Sequence, residues 1–273
     1  MARLPEDLPV GTGSEPVIPR DAATVVLLRE GPAGPEVFLQ RRVEAMAFAG
    51  GMTVFPGGGV DQRDADRELA WSGPEPAWWG EQFGCAPELA RALVCAAVRE
   101  TFEESGVLLA GPDPRTVVAG TAEYADARAG LVSRDVSLAE FLTDAGLVLR
   151  ADLLRPWSNW VTPEGERRRY DTRFFLAAMP EGQRADAVTT EVSDAYWSTP
   201  AAVIRDWEQG RCGLLPPTWV TLTEVAECGS VAAALDQQRS LDKVVPKLVR
   251  RGGEWHAVMP DDPEYDDPPQ GGQ

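Results

Sequence analysis

Apolar residues recur along this chain in two different rhythms, and each change of rhythm marks an element. Residues 22–28 (AATVVLL) form a β-branched apolar run, and residues 36–42 (EVFLQRR) form another. Gly31-Pro32-Ala33-Gly34-Pro35 lies between them and predicts a turn, so the pair predicts a hairpin. Thr53-Val54-Phe55 predicts a short strand. From Ala86 the rhythm becomes helical: Val94, Val98 and Phe102 follow one another at four-residue intervals, as on a face packed into a core. Gly106 can supply the left-handed residue that ends this helix. Leu89, Leu93 and Ala96 carry the apolar cover around its girth, which suits a helix sandwiched against a mixed sheet.

Farther along, Leu108-Leu109 starts an extended piece closed by Gly111-Pro112, while residues 115–130 keep neither rhythm. Ser137 and Glu140 stand three apart at the head of SLAEFLTDA, a capping box. Strands are predicted around 153–161, 170–178 and 195–198. Helices are predicted from Pro200 to about Gln209, from Pro216 through Cys228 and over 230–239, with a last strand at 254–259. Residues 1–20 read as a flexible N-terminal arm, 21–259 as a single domain, and 260–273 as a disordered acidic tail.

The formal charge of −17 argues against a nucleic-acid backbone or an anionic membrane as the main partner. No apolar run approaches the roughly 20 residues that a membrane helix needs. Cys85, Cys95, Cys212 and Cys228 are scattered without a C-x-x-C pair, so neither a zinc site nor a disulfide framework is expected. With no apolar h-region at the N-terminus, the expected setting is reducing and cytoplasmic. His256, the only histidine, falls in the last strand and is read as structural.

The candidate chemistry lies in residues 99–107, RETFEESGV. At about 100° per residue, Glu103 falls near −60° and Glu104 near +40° from Glu100, so three carboxylates crowd one side of a turn. Like charges this close need a partner, and a hard divalent cation with oxygen ligands is the natural one. A solvated acidic helix end is the plain alternative. Ahead of the helix, Pro56-Gly57-Gly58-Gly59 can bring backbone N–H groups close to an anion, or it is simply a turn.

Together the glycine knot and the acidic helix resemble the Nudix hydrolase signature, G-x5-E-x7-R-E-U-x-E-E-x-G-U, where U is a bulky apolar residue. Arg99, Glu100, Glu103, Glu104, Gly106 and Val107 match its second half, while Thr101 stands where the family prefers an aliphatic residue. Gly58 matches the opening glycine, and Asp64 sits at the position of the family glutamate. Arg99 comes 35 residues after Asp64 rather than eight, an excess of 27. A split box of this kind, and the run WVTPEGERRRYDTRFF, resemble the branch containing the peroxisomal coenzyme A diphosphatases. The resemblance implies a three-layer α/β/α sandwich with a helical insertion (about 65–86) and a helical C-terminal part.

It also implies magnesium or manganese held by Glu100, Glu103 and Glu104, oriented by Arg99, with Glu103, Glu104 or the loop residue Glu191 as base, or with Glu191 as a fourth metal ligand. Arg41 or Arg42, Gly57 and Gly58 would meet the substrate, and Arg173 would either join them or belong to a salt-bridged strand edge. The insertion carries Trp71, Trp78, Trp79 and Phe83, which read as a satellite core or as a wall against a long substrate. Three functions follow: coenzyme A or acyl-CoA diphosphate cleavage; hydrolysis of ADP-ribose, dinucleotides or oxidised nucleotides; or nucleotide-metabolite binding without hydrolysis, which has no need of the three retained glutamates. The expected partner is a small-molecule nucleotide diphosphate, and a homodimer is the one assembly entertained.

Overall fold

A computed structural model describes residues 2–3, 17–45, 49–65, 69–187, 192–251 and 254–266. The predicted hairpin is present as Arg20–Gly31 and Gly34–Arg42, which pair antiparallel only from Leu28↔Val37 to the turn. Beyond that point the strands splay. The first pairs instead with the glycine strand Gly57–Gly59, and the second with Met52–Val54. On its other edge the first strand runs parallel to Tyr170–Ala178, which pairs antiparallel with Leu154–Val161. Val192–Ser198 joins the far edge of the second strand.

The long helix runs Pro87–Ser105, with proline opening it and Gly106 (φ 71°) closing it through an N–H bond to Phe102 O. Val94, Val98 and Phe102 are buried as their spacing required, and so are Leu93, Ala96 and Ala97. The helix is covered on nearly every side because the sheet lies beneath it and other helices lie around it. Pro76–Phe83, Ala125–Ser133 and Leu138–Asp144 pack near it, and Phe102 stacks on Phe141 at 5.6 Å. The Ser137–Glu140 capping box forms as expected.

On the opposite face of the sheet, Pro200–Glu208, Pro216–Cys228 and Val231–Leu235 cover Val26, Leu39, Trp157 and Leu176. Helices on both faces of a mixed sheet make the three-layer α/β/α sandwich. Among the described residues, no helix is long and apolar enough to cross a membrane. The helix expected over 230–239 stops at Leu235. Both ends of the chain also depart from expectation where they are described: Ala2–Arg3 pairs with Ala257 and His256, and the Tyr265 hydroxyl donates to Val245 O at 2.7 Å.

The tryptophan-rich insertion is core, not a substrate wall. Trp71–Ser72 adds a strand beside Val148–Arg150, and Trp79 and Phe83 point from the short helix onto Phe175 at 5.6 and 5.2 Å. Trp79 is fully buried, and both its indole N–H and that of Trp71 donate to Pro74 O. Two indoles are thus satisfied by one carbonyl, which lets them be buried without a polar cost. Only Trp78 keeps substantial exposure, at 39%.

Two outcomes follow for stability. Trp79→Ala should lose about 3–5 kcal/mol in denaturant unfolding, and deleting residues 66–84 should abolish folding rather than raise one Michaelis constant selectively. A Trp79→Ala protein within about 1 kcal/mol of wild type would mean that the insertion is dispensable to the core.

Candidate active site

The site is assembled on the guanidinium of Arg99. Its Nε and Nη2 donate to Asp64 Oδ1 and Oδ2, both at 2.9 Å. Its Nη1 donates to Glu100 Oε1 at 2.8 Å and Glu103 Oε1 at 3.1 Å, and Nη2 also reaches Gly59 O at 2.9 Å. A bidentate pair plus two further carboxylates uses the planar fork of arginine in a way a lysine could not reproduce. Asp64 is 3% exposed and Arg99 8%, so this is a buried pair joining residues 35 apart in sequence. The two halves of the split motif are thereby brought back together in space.

The glycine strand packs directly against the acidic turn. Gly57 N–H donates to Glu104 Oε2 at 3.0 Å, so a carboxylate of the helix itself takes up this backbone donor. A Cβ on Gly58 would lie 2.5 Å from Glu100 Oε1, so any larger residue at position 58 must push the Glu100 carboxylate out of its place. Gln40 Nε2 donates to Glu104 O at 3.1 Å where the hairpin strands splay, fixing the end of the helix against the fork. Thr101, the residue out of step with the family pattern, is fully buried. Its hydroxyl donates to Ala97 O at 2.7 Å, which explains why a polar residue is tolerated there.

Burial, then the neighbouring charge of Glu103, pushes the Glu100 carboxyl up to about 7 against the downward pull of Arg99. Burial also raises Glu103, again opposed by Arg99. Arg99 itself is penalised by burial, but the hydrogen bonds it donates to Asp64 and the charges of Glu100, Asp64 and Glu103 outweigh this and raise its pKa. Asp61 sits low, at about 2, because Arg63 hydrogen-bonds it through side chain and backbone. When ionised, Asp64, Glu100, Glu103 and Glu104 together carry more negative charge than Arg99 alone neutralises.

A cavity of about 1080 Å³ opens beside this cluster, with Glu100, Glu103, Glu104, Gly57 and Gly58 in its wall. It lies at the upper end of the range of roughly 300–1,000 Å³ usual for small-molecule sites. Of the two candidate arginines, Arg42 lines it, whereas Arg41 is exposed and does not. Arg173 is not brought there either. It lies on the other face of its strand, bound to Asp21 at 2.7 Å and Asp171 at 3.0 Å, which is the salt-bridged edge. Alternation puts Tyr170, Thr172 and Phe174 on the cavity side instead.

Glu191 lies outside the described residues. The segment leading to it is moored to the helix end: Asp186 N–H donates to Ser105 O, and Arg128 bridges Glu103 O and the Asp186 carboxylate. Several lining residues were not singled out from the sequence, among them Trp160, Glu166, Arg134 and Arg168. Glu166 is buried, and burial raises its pKa. The strand alternation could have found Tyr170 and Phe174, but nothing local in the sequence marks Glu166 or Arg134.

Comparison with known proteins agrees with this geometry. The family model for the NUDT19 Nudix domain matches residues 82–225, which takes in the helical half of the motif. The putative nudix hydrolase 7 of Caenorhabditis elegans is 29% identical over 208 residues, covering 76% of this chain and 61% of its own length. The human acyl-coenzyme A diphosphatase NUDT19 is 30% identical over 237 residues, covering 73% and 62%. The chain thus spans roughly three-fifths of the length of these relatives. A crystal structure of a NUDIX hydrolase from Alicyclobacillus acidocaldarius superposes with a TM-score of 0.72 at 28% identity, over 82% of this chain and 99% of that one. With the family match extending over more than half of its 273 residues, the chain belongs to the NUDT19 family of Nudix domains.

Proposed function

We propose that this protein is a divalent-metal-dependent diphosphatase that cleaves coenzyme A or its acyl esters, giving 3′,5′-ADP and the (acyl-)phosphopantetheine. The observation that carries the reading is the gathering of Asp64, Glu100 and Glu103 about one guanidinium, with Glu104 bound to the adjoining glycine strand, beside a large cavity whose wall holds the three glutamates. The relatives named as acyl-coenzyme A diphosphatases support the substrate class. So does the lining, which sets Arg42 and Arg168 for phosphates beside Phe55, Trp160 and Leu215 for an apolar arm. This role falls to those residues, not to the insertion tryptophans.

Nudix hydrolases work with divalent cations, and the donor set here fits one in its chemistry. It is all oxygen, carries excess negative charge, and holds Glu100, raised to about 7 mainly by burial, where a cation beside it would favour its anion. Among the described residues no three acidic, histidine or cysteine side chains already surround a common point, because Glu100 and Glu103 are turned to Arg99. Magnesium or manganese held by Glu100, Glu103 and Glu104 would neutralise charge developing on the diphosphate and lower the pKa of the attacking water.

The residues of the chain do the rest. Asp64 holds Arg99, and Arg99 holds Glu100 and Glu103 in register with the glycine strand. Glu103, Glu104 or Glu191 takes the proton from the attacking water. Arg42 binds phosphate or base at the cavity wall. The four free cysteines fit a reducing, cytoplasmic setting.

A panel of CoA, an acyl-CoA, ADP-ribose, NADH and dinucleotides tests this reading. Hydrolysis should vanish with chelator, return with magnesium or manganese, and favour the CoA esters. Full turnover in excess chelator would contradict the metal, and a clear preference for ADP-ribose would contradict the substrate. Glu103→Gln or Glu104→Gln should lose about 10²–10⁴ in turnover. Gly58→Ala should lose activity through the displaced Glu100 carboxylate. Glu191→Gln should lower turnover with little change in thermal midpoint. Wild-type rates for that variant from about pH 6 to 9.5 would place the base at another carboxylate.

A further inference from the structure

Among the described residues, two that are not glycine have positive φ, Ala49 at 52° and Arg134 at 64°, and both line the cavity. Arg134 occupies the left-handed position that ends the helix Ala125–Ser133. Glycine adopts that conformation without the clash that a Cβ makes with the backbone, so an arginine there gives up stability. Strain of this kind at a cavity wall points to a role for the side chain.

The surroundings of Arg134 fix its backbone and leave its guanidinium available. Its N–H closes the helix on Gly130 O and Leu131 O. Its carbonyl accepts from Arg63 Nη1 at 3.0 Å. Arg63 is in turn locked by Asp61, through Nε at 3.2 Å and Nη2 at 3.1 Å. The neighbouring Asp135 carboxylate is engaged by Ser133 Oγ at 2.7 Å. Among the described residues, no carboxylate or carbonyl accepts from the Arg134 guanidinium. Its charge nevertheless reaches the acidic turn, where it opposes the upward shift of Glu103. The Asp61–Arg63 brace thus lies between the glycine strand and the acidic helix in sequence, and it hands a strained, exposed arginine to the wall of the site.

We propose that Arg134 binds the non-bridging oxygens of the substrate diphosphate in the cavity it shares with the Glu100–Glu103–Glu104 turn, with the Asp61–Arg63 pair as its positioning brace. This deepens the diphosphatase reading and rests on it for the identity of the ligand. A cation on that wall shares the diphosphate charge with the metal-binding side, and it is held by backbone geometry rather than by an acidic partner that would cancel it. Arginine suits the task through its planar, bidentate donors.

Three single variants and one double variant, read by two assays, test the proposal. Arg134→Gly removes both the side chain and the strain, so its thermal midpoint should equal or exceed that of wild type. Its kcat/KM on the best substrate of the panel should nonetheless fall about 10²-fold. Arg134→Lys keeps the charge and the strain and should recover part of that loss. Arg63→Ala should lower kcat/KM less than Arg134→Gly, and adding it to Arg134→Gly should cost no more than a further twofold or so. In the second assay, calorimetric binding of inorganic diphosphate with magnesium should weaken at least about tenfold in Arg134→Gly. Activity and diphosphate affinity within twofold of wild type in Arg134→Gly would overturn the assignment. A wild-type protein that turns over nothing in the panel would defeat the diphosphatase reading, while the binding assay would still decide Arg134.

Discussion

The buried pair of Asp64 and Arg99 is the constraint on which the rest of the site depends. Removing one partner of such a pair leaves an uncompensated buried charge, typically at a cost of about 3–5 kcal/mol. Retaining both fixes where the loop that holds Asp64 meets the long helix. From that junction the other positions follow. Gly59 O lies on the same guanidinium, Gly58 lies against Glu100, and Gly57 N–H lies on Glu104. The inserted residues can therefore form their own strand and helix without separating the two halves of the motif.

The fold supplies that junction by splaying its first hairpin. Because the strands part beyond Leu28 and Val37, residues 52–59 can fill the fork with one strand paired to each arm. The helix end is tied into the same fork through Gln40. The insertion supports the arrangement from behind, with Trp79 and Phe83 on Phe175, in the strand next to the first arm of the hairpin. A site with little apolar core of its own is thus held rigid by elements that are packed on both faces of the sheet.

Much of this was legible in the sequence, and the rest was not for identifiable reasons. The helix, its glycine stop and its acidic side follow from spacing alone, and so do the capping box at Ser137 and the two prolines opening the helix Pro216–Cys228. The role of Asp64 was visible only as a position in a motif, because its partner lies 35 residues away. Arg173 was the harder case. Its strand was correctly placed, but alternation offers two faces, and the choice depends on which one the helices cover. The tryptophans pose the same problem, since an apolar run far from its partner in sequence does not say what it packs against. Arg134 shows no local signal because its importance lies in a backbone angle.

A double-mutant cycle on Asp64 and Arg99 tests the account most directly, using Asp64→Leu and Arg99→Met with turnover of the best substrate as the readout. If Asp64 acts by holding Arg99, and Arg99 by holding the carboxylates, either single change should remove most of the activity. The double change should then cost little more, with a coupling of at least about 2 kcal/mol. Losses that simply add would show that the two residues act independently and would contradict a site built on their pairing.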